Sequence, residues 1–165
     1  MKKIKLFIGG VVNVNNAQNI NCRSLIKYLD KDKFEITALQ SKRKKILKDL
    51  DVSYIVIYEP IKIFKYFAFF LGIIKSDICY FPKTECISWC FFLCKLLNKK
   101  KFRTIESIID ERLTATLNKS NKSYIIKDYK RTENLFSITK FMKSYNYSAH
   151  AIESENNILY LGIDD

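Results

Sequence analysis

The residues best placed to do chemistry stand at the start of the chain. An apolar run, Ile4-Lys5-Leu6-Phe7-Ile8, meets paired glycines, Gly9-Gly10, and then an amide-rich segment that includes Asn13, Asn16 and Gln18. A strand that ends in glycines and feeds a helix delivers its loop to the carboxyl edge of a parallel sheet, the edge at which open α/β folds bind their ligands. Glycine allows close approach of a ligand to the backbone, and the exposed N–H groups at the following helix start favour a phosphate or another anion. The amide side chains of Asn13, Asn16 and Gln18 supply both donors and acceptors for polar recognition. The alternative is that Gly9-Gly10 makes only a tight strand-to-helix connection. Two nucleotide-site classes are excluded by spacing. After Gly10 comes Val11-Val12-Asn13-Val14, which lacks the glycine pattern of a dinucleotide site, and no Gly-Lys-Ser/Thr follows as a P-loop requires.

Cysteine offers a second chemistry. Cys86, Cys90 and Cys94 recur every four residues along a helical pattern that also carries Ile87, Trp89, Leu93 and Leu97. Zinc sites favour CxxC-type knuckles, and free cysteine in an apolar helix behaves as a small hydrophobe, so this spacing points to core packing and no metal is demanded. Five cysteines and no signal peptide fit reduced thiols in a cytoplasmic protein. The only histidine, His150, falls late in a polar helical stretch and reads as a surface residue.

These residues need elements to position them. Short apolar runs alternate with longer helical patterns, which predicts stacked βαβ units: an α/β, Rossmann-like, doubly wound fold with a mainly parallel sheet of about seven strands. The expected strands are Ile4–Ile8, Phe34–Leu39, Val52–Tyr58, Asp77–Phe81, Lys101–Ile105, Leu135–Thr139 and Ile158–Ile163. Helices are expected over Ile20–Leu29, 61–74, the cysteine-rich stretch, Tyr124–Lys130 and Phe141–Ala149, with a short basic one at Lys42–Lys48. Leu113–Ser123 reads as a loop with a short helix at the active edge. Polar residues gather where the fourth and fifth strands end, at Lys83, Glu85 and Glu106. No linker or fixed-period repeat divides the 165 residues, so one domain is expected.

A formal charge of +12 implies an anionic partner, whether nucleic acid, a membrane surface or a phosphorylated substrate. The uncharged part of the most apolar stretch, Tyr66–Ile74, is far short of the roughly 20 residues that span a bilayer. Its Lys62, Lys65 and Phe69 fall on one helical face, a basic and aromatic stripe of the kind that meets a membrane interface or, alternatively, packs on the sheet while its lysines snorkel. Peripheral attachment to an anionic inner membrane surface is therefore expected alongside a cytoplasmic location. Nucleic acid is the weaker expectation, because the positive residues are scattered and no helix-turn-helix or aromatic RNA-binding motif accompanies them.

The succession of the Gly-Gly loop, Asn16-Ala17-Gln18-Asn19-Ile20-Asn21, Arg23-Ser24-Leu25, Asp77-Ile78-Cys79-Tyr80-Phe81, Phe136-Ser137-Ile138-Thr139-Lys140 and Ile158-Leu159-Tyr160-Leu161-Gly162-Ile163-Asp164 resembles the amino-terminal half of group 1 glycosyltransferases of GT-B architecture. That resemblance implies one of two Rossmann-like domains facing each other across a cleft, the first holding mainly the acceptor and the second the nucleotide sugar. It implies transfer of a sugar, with retention of configuration, from a nucleotide-sugar donor to a saccharide or lipid-linked acceptor in cell-surface polysaccharide biosynthesis. The Leu-Gly-Ile-Asp segment closes the first domain in that family. Here the chain stops, so the expectation is an excised or truncated half, inactive alone and lacking the donor-binding glutamate pair.

Carried over residue by residue, Gly9 and Gly10 match the family's glycine loop beside donor phosphates and acceptor. Relatives often place a histidine after the fifth strand, where this chain has Glu106 in Thr104-Ile105-Glu106-Ser107; its carboxylate would orient or deprotonate an acceptor hydroxyl, or merely cap a loop. Lys83 and Glu85 are implied to face the same cleft, and Thr139-Lys140 matches a Ser-Lys that begins a helix. No cofactor is implied. The rival class is a non-catalytic Rossmann-like module that binds an anionic ligand or nucleic acid.

Overall fold

The computed structural model of the chain describes residues 2–47, 50, 52–57, 62–82, 87–106 and 126–159. In order they form β1 (Ile4–Val11), α1 (Ala17–Tyr28), β2 (Phe34–Ser41), β3 (Ser53–Ile57), α2 (Lys62–Ile74), β4 (Ile78–Phe81), α3 (Ile87–Leu96) and β5 (Lys100–Ile105). A helical segment over residues 126–130, α4, is followed by β6 (Leu135–Ser137) and α5 (Lys140–His150). The strands make one six-stranded sheet in the order β3-β2-β1-β4-β5-β6, with β1 parallel to β2 and β4, β2 to β3, and β5 to β6. The fold is α/β and Rossmann-like, with six strands where about seven were expected. The expected seventh falls mostly outside the described residues; Ile158 and Leu159 belong to no strand, although the Leu159 N–H donates to the Ser137 carbonyl at 3.1 Å.

The chain gathers into two compact units, Met1–Lys101 with Leu161–Asp165, and Phe102–Tyr160. In the first, β1 is buried from Leu6 to Gly10 and supplies the centre of the core. Successive side chains of a strand point to opposite faces, and β1 uses both. Phe7 meets Phe69 of α2 and Phe81 of β4 edge-on, at centroid distances of 5.9 and 6.2 Å. A Cβ on Gly9 would point to the same side, 2.8 Å from the Phe81 ring, whereas one on Gly10 would point to α1, 2.7 Å from Cys22 Sγ. Helices therefore cover both faces of this part of the sheet, as a doubly wound fold requires. Gly72 continues the theme on α2: a Cβ there would fall 2.3 Å from the Phe7 ring, so the helix can lie this close to β1 only without a side chain at that position.

Two sequence expectations about this unit are corrected. Gly9 and Gly10 are not a loop after the strand but part of β1, which runs on to Val11, and neither has positive φ. They sit where the register with β2 shifts, between Ile8 paired with Ala38 and Val11 paired with Leu39, and they also allow the close packing of α2, β4 and α1. The basic segment is not helical over residues 42–47, which form turns and extended loop; Lys48 lies outside the described residues. Buried amides hold it in that shape instead. The Gln40 side chain donates to the Leu47 carbonyl and accepts from its N–H, both at 3.0 Å, and competing bonds of this kind remove the incentive to close helical turns.

In the second unit Ile105, Tyr129, Leu135 and Ile152 form a smaller core. Helix α5 begins where its sequence can cap it, with Thr139 Oγ1 accepting from the Met142 N–H at 3.1 Å, so the Thr139-Lys140 pair acts structurally. His150 is half-buried in the last turn of that helix.

Candidate functional site

At the carboxyl end of β1, the Val12 N–H still donates to the Leu39 carbonyl of β2 at 2.9 Å, and the chain then turns toward α1. Each polar residue of the turn is tied to the scaffold. Asn13 is buried and spans to the end of β2: its Nδ2 donates to the carbonyls of Ser41 (2.8 Å) and Lys45 (3.3 Å), and its Oδ1 accepts from the Ser41 N–H at 2.8 Å. Asn16 is the N-cap of α1, with its Oδ1 accepting from the Asn19 N–H at 2.8 Å, a bond worth about 1 kcal/mol at such a position. Arg23, one and a half turns into the helix, reaches back to the Val12 carbonyl at 2.6 Å and to Asn15 Oδ1 at 3.3 Å. Gln18 is half-buried in the first turn and makes no side-chain hydrogen bond among the described residues.

The same bonds fix the neighbouring loop. Asn13 and Gln40 together hold Ser41, Lys45 and Leu47, while the Arg43 N–H donates to Ser41 Oγ at 3.2 Å. The side chains from Lys42 to Lys45 are left exposed beside the β1–α1 turn. Helix α1 has no acidic residue in its first turn, and the first helical N–H groups have no intrahelical partner. Positive loop, positive end of the helix macrodipole and the amide of Gln18 give this edge the chemistry to recognise an anion. Of the expected binding residues, then, Gly9, Gly10, Asn13 and Asn16 build the edge and Gln18 is presented by it. Lys83 and Glu85 lie outside the described residues.

In the second unit Glu106 follows the last residue of β5, half-buried, and accepts a hydrogen bond from Thr104 Oγ1 at 2.8 Å. Nearby is a charged cluster that sequence reading passed over. Arg103, in the middle of β5 and only 4% exposed, donates through Nη1 to Asp128 Oδ2 at 2.6 Å and lies 4.1 Å over the Tyr129 ring. Burial pushes the Tyr129 phenol above its ordinary pKa, an effect that the Arg103 guanidinium opposes and the carboxylates of Glu106 and Asp128 reinforce. The signal was present in the sequence: an arginine inside Lys101–Ile105 interrupts an apolar strand and needs a partner, though nothing local shows that Asp128 supplies it.

The cysteines pack as their spacing suggested. Cys90 and Cys94 are buried in the core of the first unit, while Cys86 lies outside the described residues. The Cys79 and Cys94 thiols hydrogen-bond to each other. That bond and burial raise Cys79, whereas for Cys94 the bond, with Lys101 and Lys99 nearby, prevails over burial and lowers it. Among the described residues no group of three or more His, Cys, Asp or Glu is placed to hold a metal ion.

No protein-family model matches the chain, and a search of curated proteins finds no match either. The case for a function therefore stands on the residues and the fold.

Proposed function

We propose that this chain is the acceptor-side half of a GT-B glycosyltransferase that moves a sugar from a nucleotide-sugar donor to a saccharide or lipid-linked acceptor. The observation that carries the reading is the strand order 3-2-1-4-5-6 in a parallel sheet, coupled with motifs at β1–α1, β4 and β6 that resemble that family. This is the order of the doubly wound α/β sheet, built from two mononucleotide-binding halves, in which ligands meet the carboxyl ends of the strands. In this reading Glu106 of the second unit, its carboxylate steadied by Thr104, orients or deprotonates the acceptor hydroxyl, and in the first unit Gln18 with the N–H groups of Ala17 and Gln18 offers donors to a phosphate. The resemblance adds Lys83 and Glu85 to the binding residues, and the donor is held mainly by a partner domain.

The test uses two proteins: the 165-residue chain, and the longest natural reading frame that contains it. With uridine- and guanosine-diphosphate sugars and saccharide acceptors, the short chain transfers nothing and the long one transfers sugar. Glu106→Gln in the long protein lowers kcat by roughly 10²-fold or more, as loss of general acid–base help does. Transfer by the short chain refutes its being half an enzyme; no transfer by the long one refutes the class. The exposed Lys42–Lys45 loop beside the α1 start favours a second reading, a non-catalytic module for an anionic ligand. Pyrophosphate binding that is lost in Lys44→Gln/Lys45→Gln, with no sugar transfer by either protein, would select it.

A further inference from the structure

We propose that the outer face of α2 and α3 docks onto an anionic lipid bilayer. Helix α2 carries apolar residues on every side, and the sheet takes only the side carrying Ala68, Phe69, Gly72 and Ile73. Phe69 is 1% exposed, so the aromatic member of the stripe expected at an interface packs inward instead, with Lys65 half-buried. The opposite side carries exposed Ile63, Phe67 and Ile74, with Phe70 at its edge half-buried against the core. Ile63 is 69% and Phe67 57% exposed, and the rings of Phe67 and Phe70 stack at 6.5 Å.

The apolar surface continues onto the next helix. Tyr66 of α2 and Trp89 of α3 meet edge-on at 5.3 Å, and beyond them Phe92 and Leu96 of α3 are 62% and 68% exposed. Half of the exposed large hydrophobic residues among those described lie on these two helices. Scattered singly such residues need no explanation; gathered on adjacent helices they mark a docking surface.

Charge selects the occupant. Exposed Lys75 follows Ile74 at the end of α2, exposed Lys95 stands next to Leu96 on α3, and neither helix contains a carboxylate. An apolar helix face edged by lysines, with Tyr and Trp between, is the chemistry that enters the headgroup boundary of an anionic bilayer. A two-fold pairing of this face with a second copy would oppose lysine to lysine. At 13 residues α2 is about 20 Å long, too short to cross a membrane, and among the described residues no helix is long and apolar enough to do so. The face lies along the surface. This inference does not depend on the sugar-transfer reading.

The experiment is co-sedimentation of the 165-residue chain with phosphatidylglycerol–phosphatidylcholine vesicles and with phosphatidylcholine alone. Trp89, the only tryptophan, reports depth through quenching by brominated lipid. Binding is expected to anionic vesicles only, to weaken with salt, and to quench Trp89. Phe67→Glu should weaken it by roughly tenfold or more, since it removes buried apolar area and adds a negative charge. Lys95→Gln, also exposed, should weaken it about fivefold, the loss of one cation at an anionic surface. Lys44→Gln/Lys45→Gln, in the basic loop, should leave quenching intact. Circular dichroism checks that each variant folds, and if Phe67→Glu does not, Lys95→Gln and the quenching decide. Absence of pelleting, equal pelleting with neutral lipid, or unquenched Trp89 would overturn the proposal. So would a dimer in sedimentation equilibrium that Phe67→Glu abolishes while vesicle binding is absent, which would assign the face to a second copy.

Discussion

Replacing Gly10 by alanine asks whether the glycine pair at the end of β1 is there for packing. Its φ is not positive, so the backbone admits alanine, and the reduced freedom of the unfolded chain would by itself add about 0.4–1 kcal/mol of stability. The new methyl group, however, would lie 2.7 Å from Cys22 Sγ and 3.4 Å from both Asn19 Oδ1 and Pro82 Cγ. Comfortable non-bonded contact is roughly 3.5–4.0 Å. Cys22 is fully buried on α1, so either its thiol leaves a packed position or the helix moves outward by about 1 Å. Overpacking of this kind costs about 1–3 kcal/mol, which exceeds the entropic gain and leaves a net loss of about 1–2 kcal/mol. For a chain of this size that lowers Tm by roughly 2–8 °C.

A double-mutant cycle isolates the contact. Cys22→Ala alone loses a small buried side chain and is destabilising, but it also removes the atom that Gly10→Ala strikes. Gly10→Ala/Cys22→Ala should therefore be about as stable as Cys22→Ala alone, with a coupling energy of about 1–2 kcal/mol from urea titrations followed by circular dichroism. If Gly10→Ala is as stable as the parent, or if the two losses simply add, α1 does not depend on that close approach. The glycine would then owe its place to something outside the packing, with a ligand at the carboxyl edge the first alternative.

Three further outcomes are expected. Asn13→Ala leaves the backbone groups of Ser41 and the Lys45 carbonyl without their buried amide partner, so it should cost about 1–3 kcal/mol in urea and speed tryptic cleavage within Lys42–Lys45; unchanged cleavage would mean that Gln40 alone shapes the loop. Asp128→Asn strands the Arg103 charge, whose side chain is 5% exposed beside a 14% exposed partner, and should cost about 3–5 kcal/mol, whereas a loss below about 1 kcal/mol would show that water screens the pair. The raised phenol of Tyr129 makes the folded chain bind more protons than the unfolded one above the ordinary tyrosine value of about 10. Its contribution is thus present below about pH 10 and lost as pH rises through the folded value, so Tyr129→Phe should flatten the alkaline fall in stability; equal slopes for the two proteins would contradict this.

What sequence alone determined was the kind of fold and most of its elements. Alternation of β-branched runs with helical spacing is a local property, read at Phe34–Leu39 or Asp77–Phe81 without knowing what lies beside them, and it yielded the parallel α/β sheet. The start of α5 was equally legible, since Thr139-Lys140 matched a pair that begins a helix and Thr139 is its N-cap, whereas α1 begins at Ala17, before the expected Ile20, with Asn16 as a cap that the sequence reading had assigned to recognition. Cys90 and Cys94 packed as apolar spacing suggested.

Tertiary structure decided whatever depended on a distant partner. The Lys42–Leu47 stretch has a basic, helix-like composition, yet Asn13, 28 residues before Ser41, and Gln40 hold it as a loop. Helix α2 carries apolar residues on every side, so periodicity could not say which side meets the sheet. The absence of a side chain at Gly72, facing the Phe7 ring, decides it and turns Phe67 outward and Phe69 inward. Gly9 and Gly10 look like a loop because glycine is common in loops; they lie inside β1, at a shift of register with β2, where the neighbouring Phe81 and Cys22 leave no room for a Cβ. Arg103 was passed over in the sequence, and its partner 25 residues away became evident only when β5 and the helix at residues 126–130 packed together. A contact between remote residues leaves no periodicity in the sequence, and these contacts determine which polar groups are committed to the scaffold and which remain to meet a ligand.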